Sequence, residues 1–469
     1  MIKENKKIFI TVGVLFILKL IILPFSQTTH ADAVSRVFLS INWANNPEWI
    51  THSIWAPFHF YINGIGLIIW DNTILLPKLI NIIFSCVTLF PFYFFIKREF
   101  HKTGALIAAI FLGISPILFR YSFMALSETP YLFFLALTIN LLSKGIKEQK
   151  ITFILLAGIS IFLAQGIRYE AWIVSALFCL VLLLFKEWKV FFIFSLLAAI
   201  FPSYWLITSY LEAGDFLYSF HGTTNWSIGV MDNNKNLNFE DYLRRIWYYP
   251  FSWLIAIGIP ACFIILKIIF QGFRNFSISK KTSYLSIPFF GMLLVFICFS
   301  YTGTFLLQQH YVGTLVVLSL PFIAVYFHEN SRKTILKATS FALITILLSF
   351  IYNIDGIKPI PRLKNQNASY FVNEMKKDTD KSLIIDFIGW ENTYFIALQS
   401  QFPPNDIFLS VEGENAKINY DDVIAKIENF NSGYLVLKSN SELEKFLSTK
   451  LSSIIVCQKE DITLYEWKK

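Results

Sequence analysis

The sequence contains little charge for its length. Asp, Glu, Lys and Arg make up only 15% of the 469 residues, whereas about 25% is usual in soluble domains. Hydrophobic residues make up 55% of the chain, and aromatic residues 17%. This balance excludes an ordinary soluble globular protein, because too few polar side chains are present to cover its surface. It indicates a membrane protein whose main partner is the bilayer.

Cysteine and cofactor motifs are also scarce. Of the five cysteines, Cys86, Cys179, Cys262 and Cys298 fall inside apolar stretches, and Cys457 stands alone near the end. This spacing predicts neither a disulfide framework nor a metal site. No Gly-rich phosphate loop is present and no internal repeat is evident. We therefore expect no nucleotide cofactor.

Apolar runs follow one another along the first three quarters of the chain. Each approaches the roughly 20 residues that cross a bilayer core, and short charged or aromatic connections separate them. The pattern predicts an α-helical polytopic protein with about eleven transmembrane helices. The predicted spans are residues 8–24, 75–96, 104–119, 130–142, 151–167, 171–185, 190–210, 251–270, 284–301, 311–327 and 335–352. Residues 58–70 form either an interfacial helix or part of a span.

Basic residues are distributed unevenly between the two sets of loops. The loops on the side of the N-terminus carry 18 Lys and Arg, against 7 in the loops on the other side. By the positive-inside rule the N-terminus is cytoplasmic, and the protein is a multi-pass protein of the cell membrane. The net charge of +8 follows from this bias, so we expect no nucleic-acid partner.

The last part of the chain differs in composition. Strand-like runs "SLIIDFI", "GYLVLK" and "SIIVC" alternate with helix-like "DDVIAKIENF" and "SELEKFLSTK". We predict two domains: a membrane domain over residues 1–354 and a small α/β domain over residues 355–469. An odd number of spans makes the second domain extracytoplasmic.

Ionisable residues that are not inner-face lysines cluster in the outer connections. They are Asp32, Arg36, Arg120, Glu128, Arg168, Glu170 and His310. Charged groups beside hydrocarbon are costly unless they are paired or face a polar cavity, so they are candidate functional residues. The alternative is that they only pair with one another or with lipid headgroups.

Two of these groups have informative spacing. Asp32 and Arg36 stand four residues apart, so on a helix they share a face and Arg36 can orient the carboxylate. Arg168 and Glu170 stand two apart, which on a helix predicts different directions and therefore different partners.

Four motifs in order resemble the GT-C superfamily of polytopic glycosyltransferases. They are "HADAVSR", "HSIWAPFHFYI", "ALSETPYLFF" and "GIRYEAW", with weaker support from "GDFLYSF" and "QQHYVGTLVVL". The likeness covers residues 8–327 and is closest to family 39-like members related to protein O-mannosyltransferases and to the aminoarabinose transferases that modify lipid A. The first outer loop departs from the family in having one acidic residue instead of an adjacent pair. Lys78 also stands where an Arg often opens the second span.

The resemblance implies a polyprenyl-phosphate sugar donor and an acceptor on the outer face of the membrane. A single displacement inverts the anomeric carbon and needs one carboxylate as base, for which we assign Asp32. The predicted ligands of the donor phosphate are Arg168 first, then Arg36, Arg244 and Arg245. The residues predicted to bind or orient substrate are His30, His59, Glu128, Glu170, Asp215 and His310. The single acid does not support a divalent metal, which usually takes several oxygen ligands.

Two other classes compete with this interpretation. A transporter or lipid flippase of cell-envelope precursors would also be polytopic, but transporters tend to have repeats and midplane charges on broken helices. The sequence shows neither feature. A non-catalytic membrane scaffold is the third possibility.

Overall fold

The computed structural model describes residues 2–26, 30–230, 237–274, 280–327, 332–354, 370–375, 381–400, 402–403, 406–409 and 420–469. The chain divides into two compact units. The first comprises Met1–Leu23, Trp49–His59 and Lys78–Ile357, and the second comprises Pro24–Glu48, Phe60–Pro77 and Lys358–Lys469. The domain boundary expected after residue 354 stays a prediction and lies at the edge of the described residues.

Helices dominate the part of the chain before residue 355. The first eleven are α1 Ile2–Ile22, α2 Ala31–Asn45, α3 Phe58–Ile69, α4 Leu75–Val87, α5 Leu89–Glu99, α6 Lys102–Gly113, α7 Pro116–Tyr121, α8 Glu128–Glu148, α9 Ile151–Ile167, α10 Glu170–Leu184 and α11 Trp188–Ala213. The next seven are α12 Tyr218–Asn225, α13 Phe239–Ile257, α14 Ile259–Arg274, α15 Lys280–Thr302, α16 Gly313–Ser319, α17 Ile323–Tyr326 and α18 Arg332–Asn353. Short 3₁₀ or π turns cover Leu23–Phe25, Trp226–Val230, Gln309–Val312 and Leu320–Phe322.

Within the described residues, seven helical segments are long and apolar enough to cross a membrane. They are Asn5–Phe25, Leu75–Glu99, Glu128–Glu148, Trp188–Ala213, Tyr284–Thr302, Gln309–Tyr326 and Lys333–Asn353. A bent pair would make an eighth, and four shorter apolar helices are Phe58–Ile69, Lys102–Gly113, Ile151–Ile167 and Glu170–Leu184. The helical polytopic fold is confirmed, whereas the number of eleven spans stays a prediction.

The span predicted over residues 251–270 is not one continuous helix. The chain bends by 109° between Phe239–Ile257 and Ile259–Ile268. Gly258 has φ +81°, outside the helical region, and Pro260 follows within two residues. Proline lacks the N–H that would continue the helical ladder. The segment predicted as this span is therefore bent, for a reason visible in the sequence "GIP", and its count as a single span stays a prediction.

Lys19 in α1 makes contacts inside the helical unit. Its side chain is buried, and its Nζ donates a hydrogen bond to Ser85 Oγ at 2.8 Å. The same ammonium lies 5.2 Å from the centre of the Phe119 ring. Lys19 thus links α1 to other helices of the first unit.

Among the described C-terminal residues, five strands form a mixed sheet. Its strands are β1 Lys381–Ile385, β2 Ile407–Leu409, β3 Ser432–Lys438, β4 Ser452–Lys459 and β5 Ile462–Lys468. The strand order is β2-β1-β3-β5-β4; β1 pairs in parallel with β2 and β3, and β5 pairs antiparallel with β3 and β4. Helices α19 Trp390–Ser400, α20 Tyr420–Glu428 and α21 Glu442–Ser448 complete it. The predicted small α/β fold is confirmed, while β2, β5 and α19 had not been predicted.

Apolar side chains fill this part of the second unit. Ile384, Leu435 and Trp467 from three strands pack with Val423 and Leu443 from two helices, and all are buried. On the same unit, α2 packs against α19. The helix that carries Asp32 is therefore held by a helix from the C-terminal residues.

Candidate active site

A buried cluster of charged side chains lies in the first unit. It combines Ser127 and Glu128 at the start of α8, Arg168 and Glu170 in the turn from α9 to α10, and His310 in the turn before α16. Three connections far apart in sequence thus bring together four of the residues predicted for the site. The charged side chains are all less than a tenth exposed.

Arg168 is the centre of the cluster. Its Nε and Nη2 donate hydrogen bonds to Glu170 Oε1 at 2.9 and 2.6 Å. Its Nη1 donates to Ser127 Oγ at 3.0 Å and to Glu128 Oε1. One guanidinium therefore holds two carboxylates that come from different helices.

Local backbone structure explains how Arg168 and Glu170 meet. Arg168 ends α9 in an extended conformation, with φ −150° and ψ 140°, while Glu170 is the first residue of α10. Because the two residues are not on one helix, the expectation that they point to different partners was wrong. Glu128 and Glu170 each begin a helix, where the positive end of the helix dipole favours a carboxylate.

His310 and aromatic rings close the cluster. His310 Nε2 lies 3.5 Å from Glu128 Oε1, and the Tyr121 ring stands edge-on to the imidazole at 5.7 Å. The guanidinium of Arg168 lies 5.0 Å from the centre of the Tyr311 ring. Such a desolvated environment strengthens each ionic contact and makes an unmatched charge costly.

The residues before Arg168 fix the end of α9. Gln165 Nε2 donates to Ser175 Oγ at 3.0 Å and to the Ala198 carbonyl at 2.9 Å, which ties α9 to α10 and α11. At Gly166 the ring of Phe58 packs directly on the backbone, since a Cβ there would lie 2.1 Å from Phe58 Cδ2. Only glycine therefore leaves room for the Phe58 ring to approach the backbone at this position so closely.

Asp32, the predicted base, belongs to the second unit. It lies in the first turn of α2 and is partly exposed. The backbone N–H of Asp32 donates to His30 Nδ1 at 3.3 Å, and that nitrogen lies 3.9 Å from Asp32 Oδ2. His30 is thus the N-cap of α2. Arg36 lies one turn further along α2 and is buried.

The remaining predicted residues lie elsewhere in the first unit. Arg244 on α13 is exposed, whereas Arg245 is buried and donates from Nη1 to the Tyr301 carbonyl at 3.3 Å. His59 is fully buried in α3.

Asp215 lies in the loop after α11. Its Oδ2 lies 2.6 Å from His221 Nδ1, and its Oδ1 accepts the Leu217 N–H at 2.9 Å. The hydrogen bond with His221, together with that from Leu217, holds the pKa of Asp215 below its usual range. The Asp215 carboxylate therefore binds to residues close to it in the sequence, Leu217 and His221.

Sequence reasoning missed Ser127, Tyr121 and Tyr311. Ser127 immediately precedes Glu128 in the motif "ALSETP", and Tyr311 immediately follows His310 in "QQHYV". Their positions next to predicted residues were the signal that could have identified them. Among the described residues, no group of three or more His, Cys, Asp or Glu side chains has the geometry to hold a metal ion.

The comparisons with known proteins agree with this fold. The sequence model of the dolichyl-phosphate-mannose-protein mannosyltransferase family matches residues 52–207. This segment, about a third of the chain, includes Glu128, Arg168 and Glu170. No curated protein matches the chain in sequence.

Solved structures match over nearly the whole chain. ArnT from Cupriavidus metallidurans bound to undecaprenyl phosphate is 11% identical with a TM-score of 0.75, covering 98% of this chain and 97% of that one. Its apo state is 10% identical with a TM-score of 0.72, covering 99% and 98%. The archaeal oligosaccharyltransferase AglB from Archaeoglobus fulgidus, in complex with an inhibitory peptide and a dolichol-phosphate, is 13% identical with a TM-score of 0.52, covering 93% and 70%.

The fold is therefore that of a polytopic membrane protein similar to ArnT and AglB. The family model over residues 52–207 supports the resemblance found in the sequence motifs. More particularly, the chain is similar in fold to ArnT along its whole length, including the C-terminal sheet.

Proposed function

We propose that the protein is an integral-membrane glycosyltransferase that moves a sugar from a polyprenyl-phosphate donor to an acceptor hydroxyl on the outer face of the cell membrane. The observation that supports this most strongly is the whole-chain fold likeness to ArnT, which was solved with undecaprenyl phosphate bound. AglB, solved with a dolichol-phosphate, adds a second lipid-phosphate example on a related fold.

In this proposal Asp32 removes the proton from the acceptor hydroxyl as that oxygen attacks the anomeric carbon. The bond from the anomeric carbon to the phosphate oxygen breaks, and the polyprenyl phosphate leaves with both electrons. A single displacement of this kind inverts the anomeric centre and needs one base. The partly exposed position of Asp32 at the start of α2 supports the role, since a base must be reachable by the acceptor.

The buried cluster around Arg168 fits two roles in the same enzyme. As predicted from the sequence, Arg168 would bind the donor phosphate through its planar fork. However, its hydrogen bonds to Ser127, Glu128 and Glu170 already occupy four of five N–H donors. Phosphate binding therefore requires Arg168 to share or release a partner, and the contacts also support a role in holding Glu128 and Glu170 in place.

The remaining assignments stay part of the proposal. Exposed Arg244 is a secondary ligand for the phosphate, as are Arg36 and Arg245. Glu128, Glu170, His30, His59, Asp215 and His310 are proposed to bind or orient the substrates. The N-terminus is proposed to be cytoplasmic and the C-terminal sheet extracytoplasmic.

Transfer of radiolabelled sugar from a polyprenyl-phosphate donor by the purified protein tests the proposal. Membranes extracted from the native host, before and after expression of the protein, supply the acceptor. Label that appears in a lipid, protein or polysaccharide fraction only with the active chain supports a transferase. Movement of intact donor across proteoliposomes without loss of the sugar would instead identify a flippase.

A further inference from the structure

A groove of about 850 Å³ opens between α1, α6 and α18 and shares no residue with the Arg168 cluster. Helix α6 contacts both α1 and α18. The walls are apolar and include Leu106, Ile110 and Ile346. Ile10 and Ile335, which also line the groove, are 53% and 50% exposed on helices long and apolar enough to span a membrane. An exposed apolar face in such helices meets lipid chains.

Three lysines line the same groove. Lys6 and Lys7 lie in the first turns of α1, and Lys102 is the first residue of α6. Lys97, whose Nζ donates to Asn5 Oδ1 at 2.9 Å, places a fourth ammonium beside the residue that precedes Lys6. No Asp or Glu occurs among the described residues that line the groove. One end of the apolar groove is therefore strongly cationic.

The positive-inside bias explains why lysines occur at this end of the helices. It does not require them to converge on one groove. Lys144, Lys150 and Lys189 lie at other helix ends of the same predicted face and do not line it. The convergence of Lys6, Lys7 and Lys102 is thus a feature of the fold.

The length of the groove matches one leaflet. Along α6 the lining runs from Lys102 to Phe111, which is about 14 Å at roughly 1.5 Å per residue. Along α18 it runs from Ile335 to Ile346, which is about 16 Å. The hydrocarbon core of a bilayer is about 30 Å thick, so half of it is about 15 Å. An acyl chain of a phospholipid in that leaflet would fill the groove with its phosphate beside the lysines.

We propose that this groove binds an anionic phospholipid from the leaflet on the side of the N-terminus. Lys6, Lys7 and Lys102 hold the headgroup phosphate, and an acyl chain lies against α6 and α18. Basic pockets between membrane helices are suited to anionic headgroups because each ammonium near the surface attracts them. The site is separate from the proposed transfer reaction and needs neither donor nor acceptor.

Native mass spectrometry of the detergent-purified full-length protein tests the site. Dioleoyl phosphatidylglycerol, dioleoyl phosphatidylcholine and undecaprenyl phosphate are titrated separately. We expect one phosphatidylglycerol to bind at least about 10-fold more tightly than phosphatidylcholine. Equal binding of the two phospholipids would overturn the proposal. Tighter binding of undecaprenyl phosphate to the same groove would overturn the choice of a phospholipid.

Matched variants separate the groove from general surface charge. The triple variant Lys6→Gln, Lys7→Gln, Lys102→Gln should weaken phosphatidylglycerol binding roughly 10-fold to 100-fold, since three ammonium groups are lost. The control Lys150→Gln, Lys186→Gln, Lys189→Gln removes the same charge from exposed positions outside the groove and should keep the affinity. An equal loss in both triple variants would overturn the proposal.

A variant that keeps every charge tests the apolar part. Ala342 lines the groove and is partly exposed, so Ala342→Trp fills the space without disturbing buried packing. We expect it to abolish the specific phosphatidylglycerol adduct while the lysines remain. Unchanged binding would overturn the groove as the site, even if the triple lysine variant could not be purified.

Discussion

Glu170 Oε1 accepts two hydrogen bonds from Arg168, the residue two positions before it, through Nε at 2.9 Å and Nη2 at 2.6 Å. The same guanidinium holds Glu128, which lies 40 positions earlier. A buried cation shared by two carboxylates is held by both, because each carboxylate would lose this counterion in a dry environment without it. Arg168 thus couples the end of α9 to the starts of α8 and α10.

The first prediction concerns removal of this cation. Arg168→Ala takes the shared guanidinium away from the buried Glu128 and Glu170 carboxylates, and the loss of one member of a buried ion pair costs about 3–5 kcal/mol. We expect a lower melting temperature of the purified protein as well as loss of transfer. An Arg168→Ala protein with the melting temperature of the parent would show that the cluster contributes little to stability.

The second prediction separates stability from chemistry. The triple variant Arg168→Met, Glu128→Gln, Glu170→Gln removes all three charges and keeps side chains of similar length, so the melting temperature should return towards that of the parent. If the cluster serves only the fold, transfer recovers as well. If Arg168 binds donor phosphate, transfer remains low and the KM for the donor rises. Glu148→Gln at an exposed surface pair with Lys144 and Lys150 is the control for a lost carboxylate.

The third prediction concerns Gly166. A methyl group at this position would meet the Phe58 ring, the nearest carbon being 2.1 Å away. Gly166→Ala should therefore displace Phe58 or the end of α9, and transfer should fall about 10-fold or more, since displacement by about 1 Å at a reacting site can cost as much as 10²-fold. Adding Phe58→Val should restore part of the activity.

Gly13 provides the matched control for this substitution, because a Cβ built there has no neighbour within 4 Å. Gly13→Ala should leave transfer unchanged. If Gly166→Ala behaved in the same way, the packing of Phe58 on the backbone would not position the site.

Much of the fold was predictable, because membrane spans and amphipathic strands leave regular apolar patterns. The strand β3 and the helix α8 were found for this reason. The break at Gly258 could also be predicted from the sequence, but a hydropathy average over a span ignores the backbone conformations of glycine and proline. β5 was missed although "ITLYEWK" is rich in strand-forming residues.

The site was less predictable than the fold. Motif order singled out Glu128, Arg168, Glu170 and His310, which the structure brings together. The pairing of Arg168 with Glu128 could not be read from one sequence, because it depends on how helices 40 positions apart pack together. The packing of α2 against α19 was hidden for the same reason, since the two helices lie at opposite ends of the chain.

The fourth prediction tests the orientation of the membrane protein. In a background without the five native cysteines, Lys450→Cys places a thiol on an exposed position of the C-terminal unit, and Lys150→Cys places one at the opposite predicted face. In intact cells a membrane-impermeant maleimide should label only the first. Labelling of Lys150→Cys alone would invert the orientation and place Asp32 on the cytoplasmic side.

The last prediction concerns Asp32 and its cap. Asp32→Asn preserves size and removes the proton acceptor, so kcat should fall roughly 10²-fold to 10⁴-fold, the usual contribution of a general base, with little change in donor binding. His30 caps α2 through the Asp32 N–H, so His30→Ala should destabilise the start of α2 by about 1 kcal/mol, while His30→Asn should retain the cap and most of the activity.

Arg36→Ala should reduce kcat less than Asp32→Asn if Arg36 only orients the carboxylate. Measurements of kcat at saturating donor, and of the KM for the donor, distinguish these cases. Near-normal kcat in Asp32→Asn, alongside a similar small loss in Arg36→Ala, would assign both residues to the structure of α2 and leave the base to be sought elsewhere.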